Sequence, residues 1–270
     1  MAPFTSVLCA LDHSDLSARV LRHAVGFAGA SGAKLTVLTV SDADPRKQHA
    51  QIDGLIARTI PAGATFVGEP RVRVVRVTQG RPADAILEFA REDCDLVVAG
   101  THTRSGLARW FLGSTSSALL ERATRPTLLI PPGDLDIVSL TAHDVSFNMG
   151  TVMAAVDLAE HNRSQLSIAL HVAELARQPL VLLTVVDPGA SSSDAEQALF
   201  ERAQALGPGA VREVIVRTGL VAEEIGHAAA MEPAGLVVMG LRERGLGVPG
   251  GIATAVLKTH NALVLAVPAI

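Results

Sequence analysis

Ser6-Val-Leu-Cys-Ala-Leu-Asp12 and Thr151-Val-Met-Ala-Ala-Val-Asp157 are the same phrase written twice, a short apolar run closed by an aspartate. Lys34-Leu-Thr-Val-Leu-Thr-Val-Ser-Asp42 returns as Pro179-Leu-Val-Leu-Leu-Thr-Val-Val-Asp187. Asp12 maps to Asp157 and Asp42 to Asp187, one offset of 145 without a gap. Internal repetition of this kind settles the organisation of a chain before any single motif does.

The repeat extends outward from there. Residues 16–30 and 165–176 carry apolar side chains at helical spacing. Residues 71–77 and 211–217 alternate like strands, and Gly80-Arg-Pro-Ala-Asp-Ala-Ile and Gly219-Leu-Val-Ala-Glu-Glu-Ile each open a helix. Asp95-Leu-Val-Val-Ala-Gly100 is matched by Gly235-Leu-Val-Val-Met-Gly240, and Thr127-Leu-Leu-Ile-Pro131 by Leu263-Val-Leu-Ala-Val-Pro268. Each half reads as five short apolar strands alternating with helices, the pattern of a mostly parallel sheet covered on both faces. The expected fold class is α/β, with two tandem doubly wound domains, each a five-stranded parallel sheet in the order 3-2-1-4-5. The expected domains span residues 1–140 and 147–270, with a linker over residues 132–150. The apolar last strands are the natural edges to pair with one another, so self-association between domains or chains is expected.

Composition narrows the function. In 270 residues, 49% are hydrophobic and 19% charged, enough to bury a sizeable core in each half. A net charge of −4 advertises no basic face for nucleic acid or an anionic membrane. No run approaches 18 apolar residues, so no membrane span is expected. The start, Met-Ala-Pro-Phe-Thr-Ser, lacks the features of a signal peptide, and the expected location is cytoplasmic. Cys9 and Cys94 fit buried thiols better than a disulfide or metal site. The nine histidines form no metal-ligand pattern, and no metal site is expected from them; His102 alone lies in a candidate loop. Arginine outnumbers lysine heavily, which reflects composition bias or phosphate recognition.

In open α/β sheets a ligand sits beyond the carboxyl ends of strands where their order reverses. For the order 3-2-1-4-5 that crevice lies between strands one and four, ended by Asp12 and Gly100. The loop that follows Gly100 runs to Gly113-Ser114-Thr115-Ser116, where hydroxyl residues can cap a new helix. Backbone N–H groups at such a helix start attract anions, phosphates among them. Asp12 could equally form a helix cap or Asx turn, and the glycines simple turns. Arg104 and Arg109 reach phosphates or merely solvate the loop, while Trp110 and Phe111 anchor it or stack a base. No Walker A sequence, G-x-S-x-G elbow or positioned general base is evident, so no catalytic residue is assigned.

At this loop the chain resembles the universal stress proteins. Those that bind ATP carry, after strand four, Gly, two residues, Gly, nine residues, Gly, then Ser or Thr. Here Gly100, Gly113 and Ser114 match, and Thr103 stands where the second glycine belongs. The resemblance implies ATP or ADP, with Mg²⁺ between its phosphates. It puts adenine near Asp12 and Val40, ribose near Gly100, and phosphates on Gly113, Ser114, Thr115 and Ser116. It implies a stress-response sensor or regulator; the alternatives are an interaction module of the same fold and a slow ATPase. Thr103 is a departure that reshapes the loop, weakens ATP or selects a smaller ligand, since glycine there would serve a positive φ or a close approach. The second copy departs further: its loop is three residues shorter, Glu243 stands where the second glycine would be, a carboxylate that repels phosphate, and Gly251 replaces the serine. Asp157 persists.

Overall fold

The computed structural model describes residues 4–41, 44–66, 71–76, 81–101, 112–160, 163–241, 251–259 and 262–269. The chain divides into two compact units, Met1–Asn148 and Met149–Ile270.

The first unit alternates strand and helix throughout: β1 (Ser6–Leu11), α1 (Ser17–Ser31), β2 (Lys34–Ser41), α2 (Pro45–Thr59), β3 (Arg71–Arg76), α3 (Pro82–Asp93), β4 (Leu96–Gly100), α4 (Ser114–Arg122) and β5 (Thr127–Ile130). Its strands lie in the order β3-β2-β1-β4-β5, every pair parallel. Val7, Leu8, Cys9, Val37 and Val98 have no solvent exposure. Helices therefore cover both faces of the central strands, which is why those strands lack polar alternation. Helix starts follow local chemistry. Asp44 accepts from the N–H of Arg46 and Pro45 occupies the first turn of α2, where its missing N–H costs nothing. Cys9 and Cys94 are buried and unbridged, and burial raises both thiols, that of Cys94 to about 12.

The stretch expected as a plain linker carries structure. Residues 138–147 form an antiparallel hairpin, β6 (Val138–Leu140) and β7 (Val145–Phe147), that belongs to the first unit. It packs on α1: Phe147 meets Phe27 edge-on at 5.2 Å between ring centroids, and Phe27 meets Phe4 at 6.4 Å. Gly26 admits the hairpin, because a Cβ there would stand 2.5 Å from Val138 Cγ1. Arg19 holds the approach, donating to the carbonyls of Pro131 (2.7 Å), Gly133 (2.8 Å) and Leu135, while Arg22 pairs with Asp136. A segment with this much buried apolar area is part of the domain core.

The second unit repeats the plan: β8 (Val152–Ala155), α5 (Arg163–Ala176), β9 (Leu180–Val186), α6 (Ser192–Ala205), β10 (Glu213–Thr218), α7 (Val221–Met231), β11 (Leu236–Leu241), α8 (Gly251–Thr259) and β12 (Leu263–Pro268). Its order, β10-β9-β8-β11-β12, is that of the first unit, again parallel at every pair. The N–H of Asp194 donates to the Ser191 hydroxyl, which caps α6. Among the described residues no helix is long and apolar enough to cross a membrane.

Candidate functional site

In the first unit β1 and β4 are neighbours, with Ala10 beside Ala99. The chain leaves β1 toward β2 and leaves β4 toward β5, on the opposite side. Their carboxyl ends thus bound a switch-point crevice. Asp12 follows the last residue of β1 and is exposed, while Gly100 closes β4.

Asp12 organises the first turn beyond β1. Its Oδ1 accepts from the N–H of Ser14 at 3.0 Å and lies 3.4 Å from the Ser17 hydroxyl, an Asx turn that leads into α1. His13 sits in the left-handed region, φ 60°. Its Nε2 is 3.0 Å from the Thr39 hydroxyl, which donates to the Leu11 carbonyl at 3.0 Å. Because that hydroxyl has one proton and it goes to Leu11, His13 donates from Nε2. Neither His13 nor Thr39 stood out in the sequence. A threonine inside the apolar run of β2 was the available signal, since a buried hydroxyl needs a partner. Val40, next along β2, is half-buried and pairs with Val75 on β3.

Gly100 has a local reason to be glycine. A Cβ there would stand 2.9 Å from Leu16 Cδ2 and 3.2 Å from Val20 Cγ2, so its bareness lets α1 close on β4. Beyond it the loop is stitched shut at its base: Thr101 donates its N–H to Ile130 O at 3.0 Å, and Gly113 donates to Thr101 O at 3.3 Å. Residues 102–111 are outside the described residues, and with them Thr103, His102, Arg104, Arg109, Trp110 and Phe111; Glu243 of the second loop is outside them too.

Gly113 is the cap residue of α4, with φ −62° and ψ 155°, and as a glycine it makes no side-chain cap bond. Ser117 donates to Gly113 O at 2.9 Å and closes the first turn. The N–H groups of Ser114, Thr115 and Ser116 belong to the turn that α-helical geometry leaves without intrahelical acceptors. Ser114 is exposed, Thr115 half-buried and Ser116 buried. The three hydroxyls therefore differ in role. That of Ser116 is turned inward and donates to Gly100 O at 2.8 Å, which fixes the helix start to the end of β4. A helix start of this kind favours negative charge through its backbone dipoles.

The second unit keeps part of this frame. Asp157 Oδ1 accepts from the N–H of Ala159 at 3.0 Å, and the Thr184 hydroxyl donates to Val156 O at 2.9 Å, as Thr39 does to Leu11. Two things differ. Helix α8 begins at Gly251, with no hydroxyl where Ser114 stands. Gln165 replaces Val20 and is buried; its Nε2 donates to Ala155 O (2.7 Å) on β8 and Val238 O (3.0 Å) on β11. Its Oε1 lies 3.0 Å from where a Cβ on Gly240 would be. A polar amide thus occupies the floor between the two diverging strands, where the first unit has an apolar one.

Comparison with known proteins agrees with this architecture. The sequence profile of the universal stress protein family matches residues 3–131. A universal stress protein of Thermus aquaticus is 35% identical over 136 residues, which cover 47% of this chain and 98% of that protein. The solved structure of a universal stress protein from Archaeoglobus fulgidus superposes with a TM-score of 0.72 at 16% identity, covering 98% of this chain and 96% of that one. A universal stress protein solved in complex with cAMP is 29% identical, covers 47% of this chain and 97% of that one, and has a TM-score of 0.40. With the Thermus aquaticus protein 35% identical and matched over 98% of its length, the chain belongs to the universal stress protein family.

Proposed function

We propose that the first unit binds an adenine nucleotide, ATP or ADP, and that the chain acts as a nucleotide-responsive sensor or regulator in stress response. One observation carries this reading: among the described residues the first turn of α4 has no side-chain cap, and it follows β4, across the switch-point crevice from Asp12 at the end of β1. The phosphates meet the N–H groups of Ser114, Thr115 and Ser116. The N–H of Gly113 already serves Thr101, so Gly113 contributes by its lack of a side chain, which lets phosphate approach. Ser114 and Thr115 add hydroxyl donors. Ser116 contributes its N–H and holds the turn in place, since its hydroxyl is spent on Gly100. Adenine and ribose lie along the ends of β1, β2 and β4, near Asp12, Val40 and Gly100.

Among the described residues no group of three His, Cys, Asp or Glu side chains can hold a metal. Mg²⁺ accompanying the nucleotide would be held chiefly by phosphate oxygens, the donors this hard cation prefers. Thr103 enters the same loop. It stands where the family's ATP binders have glycine and lies outside the described residues, so Thr103→Gly is the variant that tests its effect on ATP.

The test is mass spectrometry of small molecules released from purified protein, followed by calorimetric titration with ATP and ADP. A co-purifying adenine nucleotide, or saturable binding of one, supports the reading. A chain that binds neither favours the interaction-module alternative, and Thr103→Gly is then expected to restore affinity.

A further inference from the structure

At the outer edge of the second unit lies β10, Glu213-Val-Ile-Val-Arg-Thr218, with β9 as its one strand neighbour among the described residues. An edge strand presents unpaired N–H and C=O groups, and proteins usually guard it with like charges, proline or cover. The corresponding strand of the first unit, β3, carries like charges in its sequence, three arginines in Arg71-Val-Arg-Val-Val-Arg76. In β10 the guard is missing. Its centre is Val214, Ile215 and Val216, and its two charges are of opposite sign.

We propose that β10 is the pairing edge for a second copy of this chain, joined antiparallel about a two-fold axis at Ile215. In that register Ile215 faces its own copy, Val214 faces Val216, and Glu213 faces Arg217 twice over. Glu213, Ile215 and Arg217 share one face of the strand by its period of two, so the charges meet across the junction. A two-fold contact must be self-complementary, and a strand reading acidic, apolar, basic is so only when antiparallel.

Three features of the surroundings favour a partner. Glu213 is exposed, and its nearest cation, Arg212, is 3.8 Å away and already bonded to Glu232. The Arg217 guanidinium rests on Met231, with Nη2 3.3 Å from Sδ, and its buried Nε has no acceptor among the described residues. Phe200 on α6, Leu220 at the start of α7 and Met231 at its end are 48%, 68% and 69% exposed, on the helices that flank β10. An apolar rim around an open strand end is a surface suited to burial in an interface. This association is independent of nucleotide binding.

The experiment is sedimentation velocity on the full chain over a concentration series. The wild-type chain is expected to self-associate reversibly. Glu213→Arg and Arg217→Glu each set like charges opposite one another at two places and are expected to raise the dissociation constant about tenfold or more. The double reversal E213R/R217E restores both pairs with inverted sign and is expected to recover most of the association. Ile215→Cys, in a chain whose two native cysteines are buried, is expected to give a disulfide-linked dimer on mild oxidation. A monomer at all concentrations overturns the proposal. So does a dimer that neither responds to the single reversals nor cross-links through position 215.

Discussion

The hydroxyl of Ser116 donates to the carbonyl of Gly100 at 2.8 Å, joining the first turn of α4 to the last residue of β4. Those two residues are separated by the whole candidate loop, and this bond, with that of Gly113 N–H to the Thr101 carbonyl, fixes the helix start against the sheet. The N–H groups that point at an anion are thereby held still, and preorganised donors bind with less ordering cost. Removing this bond with Ser116→Ala leaves the Gly100 carbonyl without that donor and costs about 1–2 kcal/mol of stability. The same change is expected to weaken nucleotide binding severalfold without removing any direct side-chain contact. Thermal unfolding and calorimetry on the one variant check both. An unchanged melting temperature means that the bond contributes nothing.

Gly113 supplies a sharper separation of fold from ligand. Its torsions, φ −62° and ψ 155°, are open to any L-residue, so backbone strain is not the reason for glycine. Gly113→Val is expected to abolish calorimetric binding, because its side chain stands between phosphate and the N–H groups behind it. The chain stays folded by circular dichroism. Undiminished affinity in this variant removes the phosphates from α4.

A stability effect of pH is built into α1. His23 is buried, bonds the Arg19 carbonyl through Nδ1 at 2.8 Å and faces Asp136 Oδ1 from 3.6 Å. Burial lowers its pKa to about 4, and the cations of Arg19 and Arg22 add to that, against the opposing pull of the Arg19 carbonyl and Asp136. The unfolded chain protonates histidine near 6.5. A depressed folded-state pKa means that this stability is present above about 6.5 and lost as pH falls toward 4. The loss amounts to about 3 kcal/mol over that window. Denaturant unfolding as a function of pH is expected to show that slope, and His23→Gln to flatten it. Equal slopes in the two proteins place the titration elsewhere.

Much of the fold was legible because the repeat was. Two aspartates closing matched apolar runs placed β1 and β8, and the alternation of apolar runs with helical stretches placed both halves in the parallel α/β class. The hairpin of residues 138–147 was not. Two strands of three residues are too short for alternation to register, and Gly26, the residue that makes room for Val138, carries no trace of its partner in the sequence. Asp12 was singled out both as a ligand residue and as an Asx-turn residue, and the bond from Ser14 gives it the turn. Gly100 was singled out as a ligand position, and the structure gives its bareness a packing reason. A ligand can use its bareness, but Leu16 and Val20 already require it. Gln165 was missed because it occupies an apolar helical position, where its amide bonds two strand carbonyls. Such a role depends on where the ends of β8 and β11 lie, and local periodicity does not carry that information.

The most direct test of the account is a calorimetric titration of the full chain with ATP, repeated for Asp12→Ala and Asp157→Ala. The first unit has hydroxyls at the start of α4 and an apolar crevice floor. The second has Gly251 at the helix start and the Gln165 amide beneath it. Loss of a single charge-assisted phosphate contact costs about 1.5–3 kcal/mol, roughly tenfold to a hundredfold in affinity. The expected result is close to one nucleotide per chain, abolished by Asp12→Ala and nearly unchanged by Asp157→Ala. Two equal sites per chain, or a single site lost with Asp157 and kept without Asp12, would contradict it.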